Sequence, residues 1–390
     1  MTSPPPARAP ELADVIRQFG PLMPGLSCEQ RRVLNELAAC RTAVLGGHME
    51  TCDHCGYRRP AYNSCRNRHC PKCQASACAD WMDDQAAQLL PVQYFHVVFT
   101  LPNAFNALAL GNKRVVYGIL FKAVSRTLLE VAANPQRLGA QIGFLAVLHT
   151  WGQNLSLHPH LHCVIPGGGL SPDGTKWVGC RPGFFLPVRV LSAVFRGKFI
   201  SLLRNAFHTG KLHGVPDAAA FEALIDSAVR TDWVVYAKPP FGGPEQVLKY
   251  LSRYTHRIAI SNRRILGMDD RSVTFEYKDY AHGNQKRTMT LDGVEFLRRF
   301  LLHVVPRGFM RIRHFGILAN RGRTARLDRC RELLGLNADA PEACPAGSST
   351  QEHREPVGLC PICGRGRMIQ AEELPRQPNR TLLQVVWDTS

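Results

Sequence analysis

The sequence feature that most constrains this chain is a run of three histidines within five residues, His158, His160 and His162. The run leads into the apolar segment 163–165, and together they predict a β-strand. Residues two apart on a strand share a face, so His160 and His162 project together while Leu161 turns into the core. Two imidazoles on one face form half of a divalent-metal site. We therefore interpret His160 and His162 as metal ligands and leave the direction of His158, which precedes a proline, open.

The predicted metal site needs further ligands. A hard cation such as Mg²⁺ or Mn²⁺ requires oxygen ligands, and it usually keeps waters or a substrate phosphate as well. Gln153 lies a few residues before His160, and a hairpin-like return of the chain could bring its side-chain carbonyl to the metal. The competing interpretation is that these histidines are structural. Packing alone does not easily explain three histidines within five residues beside an apolar strand.

Two CxxC knuckles, Cys52–Cys55 and Cys70–Cys73, predict a second kind of metal site. Tetrahedral Zn²⁺ takes four soft ligands, and two such knuckles supply them from two short turns. We therefore predict one structural zinc bound by Cys52, Cys55, Cys70 and Cys73. Three nearby residues could replace one of these ligands, namely Cys65, His69 and Cys78. The alternative is a set of buried thiols, against which the neighbouring arginines and lysine argue.

A third knuckle, Cys360–Cys363, follows a segment at 337–357 that is rich in Pro, Ala, Gly, Ser and Glu and reads as a linker. The knuckle has no obvious partner pair nearby, and Cys330 and Cys344 are candidates at poor spacing. Its zinc binding therefore stays open between a metal site and an unmetallated turn.

The charge of the chain predicts a polyanionic partner. Lys and Arg together number 48 and Asp and Glu 31, which gives a net charge of +17. Nucleic acid is the commonest partner of so basic a chain, although a basic protein without one is the alternative. The arginines Arg66 and Arg68 beside the second knuckle suggest that this module touches DNA. Neither a secretory signal nor an apolar stretch of membrane-spanning length is present, so we expect a protein of the reducing cytosol with no membrane partner.

Two tyrosines, Tyr250 and Tyr254, lie four residues apart in a segment predicted to be helical from Pro244 to about Arg257. At this spacing they share one helix face. Three basic residues flank them, namely Lys249, Arg253 and Arg257, and could neutralise DNA phosphates. Taken alone, the pair fits two aromatics packed on a sheet. Beside a histidine metal site, it fits nucleophiles that attack a phosphate polarised by the cation.

This combination resembles the HUH nucleases, and the order of motifs is closest to the insertion sequence 91 family of rolling-circle transposases. The resemblance rests on segments 63–74, 150–153, 158–162, 250–254, 306–316 and 318–320. It implies that His160, His162 and Gln153 bind the catalytic Mg²⁺ or Mn²⁺. It also implies that Tyr250 and Tyr254 cut single-stranded DNA at element ends and target through a 5′-phosphotyrosine link. A cytoplasmic bacterial protein that joins the nucleoid when on DNA is implied, without a defined oligomeric state.

The fold expected is α+β, with an HUH-type catalytic domain whose central antiparallel sheet is flanked by helices, preceded by a small helical and zinc-ribbon module. The strands predicted for that sheet are 93–100, 143–150, 160–165 and 233–237. The domains expected are 1–91 (helical and zinc-binding), 92–325 (catalytic) and 326–390 (linker and CPxCG segment). Three other functions remain open at this point: a replication initiator or relaxase of the same chemistry, a non-catalytic zinc-finger regulator, and a hydrolase using the histidines alone.

Overall fold

A computed structural model describes residues 8–86, 88–238, 246–247, 257–279, 283–336 and 358–378. The helices are α1 (Leu12–Phe19), α2 (Cys28–Ala39), α3 (Pro71–Ala86), α4 (Asn106–Gly111), α5 (Lys113–Ala133), α6 (Val188–His208), α7 (Ala218–Val229), α8 (Gly293–Leu302) and α9 (Arg323–Leu333). The strands are β1 (Gly47–Cys52), β2 (Arg58–Tyr62), β3 (Tyr94–Thr100), β4 (Gly143–Trp151), β5 (Leu157–Pro166), β6 (Gly168–Leu170), β7 (Trp177–Gly179), β8 (Val235–Lys238), β9 (Ile265–Met268), β10 (Ser272–Asp279), β11 (Gln285–Asp292), β12 (Ile312–Gly316) and β13 (Met368–Leu374). Among these described helices, none combines the length and the apolar character needed to cross a membrane.

The described residues form two compact units that do not follow the order of the chain. One unit draws its residues from Met1–Ser76, Ile260–Val304 and Ala343–Ser390, and the other from Ala77–Ala259 and Val305–Glu342. This division differs from the three consecutive domains expected from the sequence. Strand pairing within the first unit joins segments that are far apart in the chain, and the bounds at 91 and 325 stay a prediction.

The second unit is built on a five-stranded sheet in the order β12-β4-β5-β3-β8, in which every neighbouring pair is antiparallel. The four strands predicted from the sequence all lie in it, and the predicted α+β class with a central antiparallel sheet is confirmed. The strand that carries the histidine run, β5, is the central one. A central strand is paired on both edges, so its side chains are held at a fixed register.

One face of this sheet packs on helices and forms the main core. Leu161, Cys163 and Ile165 of β5 are each 0% exposed and belong to one cluster with residues of α5 and α6. Leu161 therefore points into the core as the alternation predicts. Because successive strand residues point to opposite faces, His160 and His162 must lie on the other side of the sheet.

The first unit joins both ends of the described chain. Its sheet has the order β13-β1-β2, with Gly47 of β1 paired to Leu374 of β13 on one side and to Tyr62 of β2 on the other. A second sheet, β11-β10-β9, belongs to the same unit. Helix α8 follows it and is capped by Asp292, whose carboxylate accepts hydrogen bonds from the N–H groups of Val294 and Glu295.

Helix α1 is amphipathic, since Leu12, Val15, Ile16 and Phe19 are all buried. It packs on α8, where the ring of Phe19 lies so close to Gly293 that a Cβ there would strike it. Glycine at this position permits the close approach of the two helices.

Candidate metal centre on the central sheet

Three imidazoles meet on the face of the central sheet that lies opposite the main core. His160 and His162 come from β5, and His149 comes from β4, where it pairs directly with His160. One ring nitrogen of each lies within 4.8 Å of the other two, an arrangement that could hold a metal ion. The structure thus brings together the two histidines predicted from the sequence and adds a third that sequence reasoning missed.

Hydrogen bonds fix the orientation of both rings on β5. The Nε2 atoms of His160 and His162 face each other at 3.0 Å. The Nδ1 of His160 lies 2.6 Å from the carbonyl oxygen of His158, and the Nδ1 of His162 lies 2.8 Å from Nε2 of His96 on β3. Because a carbonyl only accepts, His160 carries its proton on Nδ1 and leaves an Nε2 lone pair for a metal. When His96 accepts the Nδ1 proton of His162, the Nε2 of His162 likewise keeps its lone pair for a metal.

Burial keeps these rings neutral. Loss of solvent lowers the pKa of His160 to about 3, and the neighbouring His158 and Arg257 add to the effect. Burial likewise holds the pKa of His162 well below its ordinary value, with further contributions from His149 and His160. A neutral imidazole is the form that binds a metal, so the site carries its ligands in the required protonation state at neutral pH.

The third histidine is held by its own strand. His149 is 3% exposed, and its ring stacks on Trp151 with the ring centroids 4.5 Å apart. Gln153, the ligand expected beside the pair, follows in the turn between β4 and β5, where Gly152 N–H donates to the carbonyl oxygen of Ser156 at 2.8 Å. Gln153 therefore comes at the same end of the strands as the histidines, and its role as a ligand stays a prediction.

The predicted nucleophiles Tyr250 and Tyr254, with Lys249 and Arg253, lie outside the described residues. Their neighbours are described. Val247 is 1% exposed and packs in a cluster with Tyr94, Leu145, Val147 and Val164, which alternate with the core-facing residues of their strands. Because these partners occupy the histidine-bearing face, Val247 packs on that face. Arg257 lies close enough to lower the pKa values of His160 and His162.

Four cysteines of the first unit form a site for zinc. Cys40, Cys65, Cys70 and Cys73 have their Sγ atoms within 4.8 Å of one another. Cys73 Sγ lies 3.6 Å from Cys40 Sγ and from Cys65 Sγ, and Cys70 Sγ lies 3.5 Å from Cys40 Sγ. Four sulfurs bound to zinc at about 2.3 Å in a tetrahedron are about 3.8 Å apart, so this group fits the ion.

The structure changes the predicted pairing of the knuckles. Cys70 and Cys73 join Cys40 and Cys65, whereas Cys52 and Cys55 form a separate group with Cys360 and Cys363. A single site from the two N-terminal knuckles is therefore wrong, because β1 carries Cys52 away from helix α3, where Cys73 lies. The sequence indicates Cys65 as a possible replacement ligand of this zinc site. It gives no such indication for Cys40, since Cys40 has no second cysteine at knuckle spacing.

The third knuckle does not pair with Cys330. That residue is 0% exposed and packs with Leu90, Leu170, Ile317 and Leu327 in an apolar cluster. Burial in this cluster raises the pKa of its thiol to about 11. Cys330 is thus a core thiol, and Cys344 lies outside the described residues.

The two arginines proposed to touch DNA differ in their surroundings. Arg66 is exposed in a left-handed backbone conformation, with φ of 51°, whereas Arg68 is half-buried. Arg58 and Arg59, which also belong to the basic surroundings of the knuckles, are paired with Glu372 at 3.0 Å and Glu50 at 2.7 Å.

The chain is similar in sequence to known transposases. Residues 143–326, which include the three histidines, match a family model described as "Putative transposase", and residues 13–101 match one described as "Transposase zinc-binding domain". The chain is 53% identical to "Putative transposase y4qJ" of Sinorhizobium fredii over 93% of this chain and 95% of that protein. It is 27% identical to the transposase for insertion sequence element IS801 of Pseudomonas savastanoi pv. phaseolicola, over 81% of this chain and 77% of that one. No solved structure matches the chain. The matches to a transposase model and to a transposase zinc-binding model, together with a relative this similar over nearly its whole length, show that the chain belongs to the insertion sequence 91 family of transposases.

Proposed function

We propose that this transposase cuts and rejoins single-stranded DNA at the ends of its element through a 5′-phosphotyrosine intermediate, as rolling-circle transposition requires. The observation that carries the proposal is the group of three neutral imidazoles on the central sheet of a chain of this family. A cation held by these imidazoles would accept further oxygen ligands, such as those of a DNA phosphate.

His149, His160 and His162 would hold a divalent cation, Mg²⁺ or Mn²⁺, and Gln153 is the proposed oxygen ligand. The ion, when bound, polarises the scissile phosphate and lowers the barrier to attack on phosphorus. The protein supplies the orientation: the carbonyl of His158 and the ring of His96 hold the Nδ1 atoms, so that both Nε2 atoms face the site.

The proposed nucleophiles are Tyr250 and Tyr254. In the helix predicted from the sequence, they follow Val247 by three and seven residues, a spacing that sets all three on one face. Val247 packs against the histidine-bearing side of the sheet. The position of Val247 therefore supports an approach of the tyrosines to the metal site.

The proposed reaction is a transesterification. The phenol oxygen of one tyrosine attacks phosphorus, which forms a Tyr–O–P bond and breaks the bond from phosphorus to the 3′ oxygen. That oxygen leaves as a 3′-hydroxyl and takes up a proton, while the tyrosine gives one up. The 5′ phosphate stays on the tyrosine, and the ester is kept, so no ATP is needed. The second tyrosine carries out the complementary cleavage, and each 3′-hydroxyl can then attack the other link to exchange strands.

A groove at the edge strand β12 offers a surface for DNA. It has a volume of about 380 Å³ and is lined by Arg114, Phe309, Ile312, Arg313 and His314 among others. Strand β12 supplies Ile312 and His314, and it pairs with β4, which carries His149. Guanidinium groups bind phosphates without sequence preference, so the two arginines of this groove are candidates for contacts with a DNA backbone.

The test is incubation of the purified protein with labelled single-stranded oligonucleotides from the element's own ends, with Mg²⁺ or Mn²⁺, followed by a denaturing gel. We expect a labelled band at the combined mass of protein and DNA, absent with EDTA. It should be lost when Tyr250 and Tyr254 are both replaced by phenylalanine. Tyr236→Phe is the matched control, because Tyr236 is half exposed on the edge strand β8.

Other outcomes separate the remaining functions. DNA binding without a covalent product, under any metal or end sequence, would mean a DNA-binding regulator. Cleavage that leaves no protein–DNA link and survives the tyrosine variants would mean a hydrolase that uses the histidines alone. Efficient cleavage of relaxed linear duplex would contradict the single-strand preference, since the nucleophile is expected to need an exposed backbone.

A further inference from the structure

We propose that Cys52, Cys55, Cys360 and Cys363 bind a second structural zinc ion, which fastens the C-terminal knuckle to the N-terminal module. The four Sγ atoms lie within 4.8 Å of one another. Cys52 Sγ is 3.7 Å from Cys363 Sγ, and Cys55 Sγ is 3.7 Å from Cys360 Sγ. These separations agree with the spacing of about 3.8 Å in a zinc tetrathiolate. They also exclude a disulfide, whose sulfurs are about 2 Å apart.

The two knuckles have the same local build, although they lie more than 300 residues apart in the chain. In each, a glycine follows the second cysteine in the left-handed region, Gly56 with φ of 72° and Gly364 with φ of 62°. In each, the N–H of that glycine donates to the carbonyl oxygen of the first cysteine, Gly56 to Cys52 at 3.1 Å and Gly364 to Cys360 at 2.9 Å. Only glycine adopts this turn without strain, so both knuckles are shaped to aim two sulfurs at one point.

Backbone N–H groups surround the sulfurs, as thiolates require. The N–H groups of His54 and Cys55 each lie 3.4 Å from Cys52 Sγ, and the Gly366 N–H lies 3.4 Å from Cys363 Sγ. Such donors stabilise the negative charge of metal-bound thiolates. The same N–H groups would add little stability to a cluster of neutral thiols without a metal.

The backbone closes around this point without spare room. A Cβ on Gly366 would strike Cys52 Sγ, and it would come within 2.7 Å of an Asp53 side-chain oxygen. Two hydrogen bonds join the two segments here. Asp53 N–H donates to the carbonyl oxygen of Arg367 at 3.1 Å, and Arg367 N–H donates to Asp53 Oδ1 at 2.8 Å. The Cys360–Cys363 knuckle is therefore held against the Cys52–Cys55 knuckle by these hydrogen bonds.

Apolar burial in this corner is too small to explain the attachment. The buried cluster holds Cys52, Cys360 and Met368, with Tyr57 and Cys363 packed against it. The other apolar side chains of the knuckle face solvent, with Ile362 68% exposed and Leu359 65% exposed. A strand that has so little core needs another source of stability, and small modules commonly obtain it from a structural metal.

The proposed site shares no ligand with the group of Cys40, Cys65, Cys70 and Cys73. It also lies partly outside the stretches that match family models, because residues 13–101 and 143–326 leave out Cys360 and Cys363. The chain should therefore hold two zinc ions, and only one of them should depend on the C-terminal knuckle.

The experiment measures zinc per chain in the purified full-length protein by elemental analysis, for the wild type and for C360S/C363S. We expect two zinc ions in the wild type and one in the variant. Cys28→Ser is the control and should retain two, because Cys28 is exposed at the start of α2 and belongs to neither group. Limited proteolysis should cut the C-terminal segment faster in C360S/C363S than in the wild type.

One zinc ion in the wild type, or two in C360S/C363S, would overturn the proposal. Loss of both ions in that variant would overturn the independence of the two sites. Replacement of zinc by Co²⁺ in the wild type provides a readout that needs no variant to fold. Absorption from cobalt–thiolate bonds should saturate at two equivalents of Co²⁺ for this site and the other together, and saturation at one would count against the second site.

Discussion

The hydrogen bond in which His162 donates to His96 leads to a prediction about metal affinity. His96 is 1% exposed, and its Nε2 lies 2.8 Å from the Nδ1 of His162. When His96 accepts the Nδ1 proton, the Nε2 of His162 is left with a lone pair. Replacing His96 with leucine removes the acceptor and leaves a buried N–H without a partner. His162 can then escape this cost by moving its proton to Nε2, which removes the lone pair that the metal needs.

The expected loss follows from that competition. Removing a partner that orients a metal-binding histidine typically weakens metal binding by about 10- to 100-fold. This corresponds to about 1.4–2.7 kcal/mol of binding free energy. We expect His96→Leu to weaken Mn²⁺ binding within that range, as measured by calorimetric titration of the purified protein. Covalent capture of single-stranded DNA should then need more Mn²⁺ and should recover at high concentrations of the ion.

Two further variants separate orientation from packing. His96→Gln keeps an acceptor oxygen, so it should recover part of the affinity. His213→Gln is the matched control, because His213 is exposed in the same unit and belongs to no candidate metal group. Unchanged Mn²⁺ affinity in a folded His96→Leu protein would refute the reasoning, and equal losses in the leucine and glutamine variants would reduce His96 to a packing role.

Three further predictions concern the second unit. His149→Ala should abolish metal-dependent cleavage while leaving duplex binding near the wild-type level in a gel-shift assay, and cleavage at the wild-type rate would remove His149 from the ligand set. Burial lowers the pKa of His314 to about 4, so the unfolded chain binds a proton that the native one does not as the pH falls from 6.5 toward 4. Native stability should thus drop in this window, and His314→Gln should reduce the loss between pH 6.5 and 5 by about 1 kcal/mol in urea titrations, a figure lowered for the partial exposure of the ring. Gly316→Ala should destabilise the protein by more than about 2 kcal/mol in the same titration, because φ is 61° and the new Cβ would strike the carbonyl oxygen of Ile142; an unchanged midpoint would show that β12 can shift.

Local patterns in the sequence were sufficient for the strands and for the histidine pair. The alternation around Leu161 sets which side chains of β5 reach the core, and this depends only on the period of two residues along a strand. The knuckle spacing likewise marks the cysteines as metal-binding, because a CxxC turn fixes two sulfurs at one point whatever the rest of the fold does. The motifs of the histidine strand and the knuckles also identified the family.

The partners of these groups depend on strand pairing between distant segments. His149 becomes the third member of the histidine group because β4 pairs with β5 in a register that places it opposite His160. A lone histidine in an apolar strand gives no signal of this in the sequence. His96 reaches His162 in the same way, since β3 pairs with β5 on its other edge.

The sequence by itself determined four strands of the central sheet, the α+β class and the family. Only the tertiary structure decided which cysteines belong together, because β13 pairs with β1 and brings Cys360 to Cys55. Spacing along the chain carries information about neighbours within a turn or a strand. Pairing between segments some 300 residues apart is set by the burial and hydrogen bonding of the whole fold, which no local pattern records.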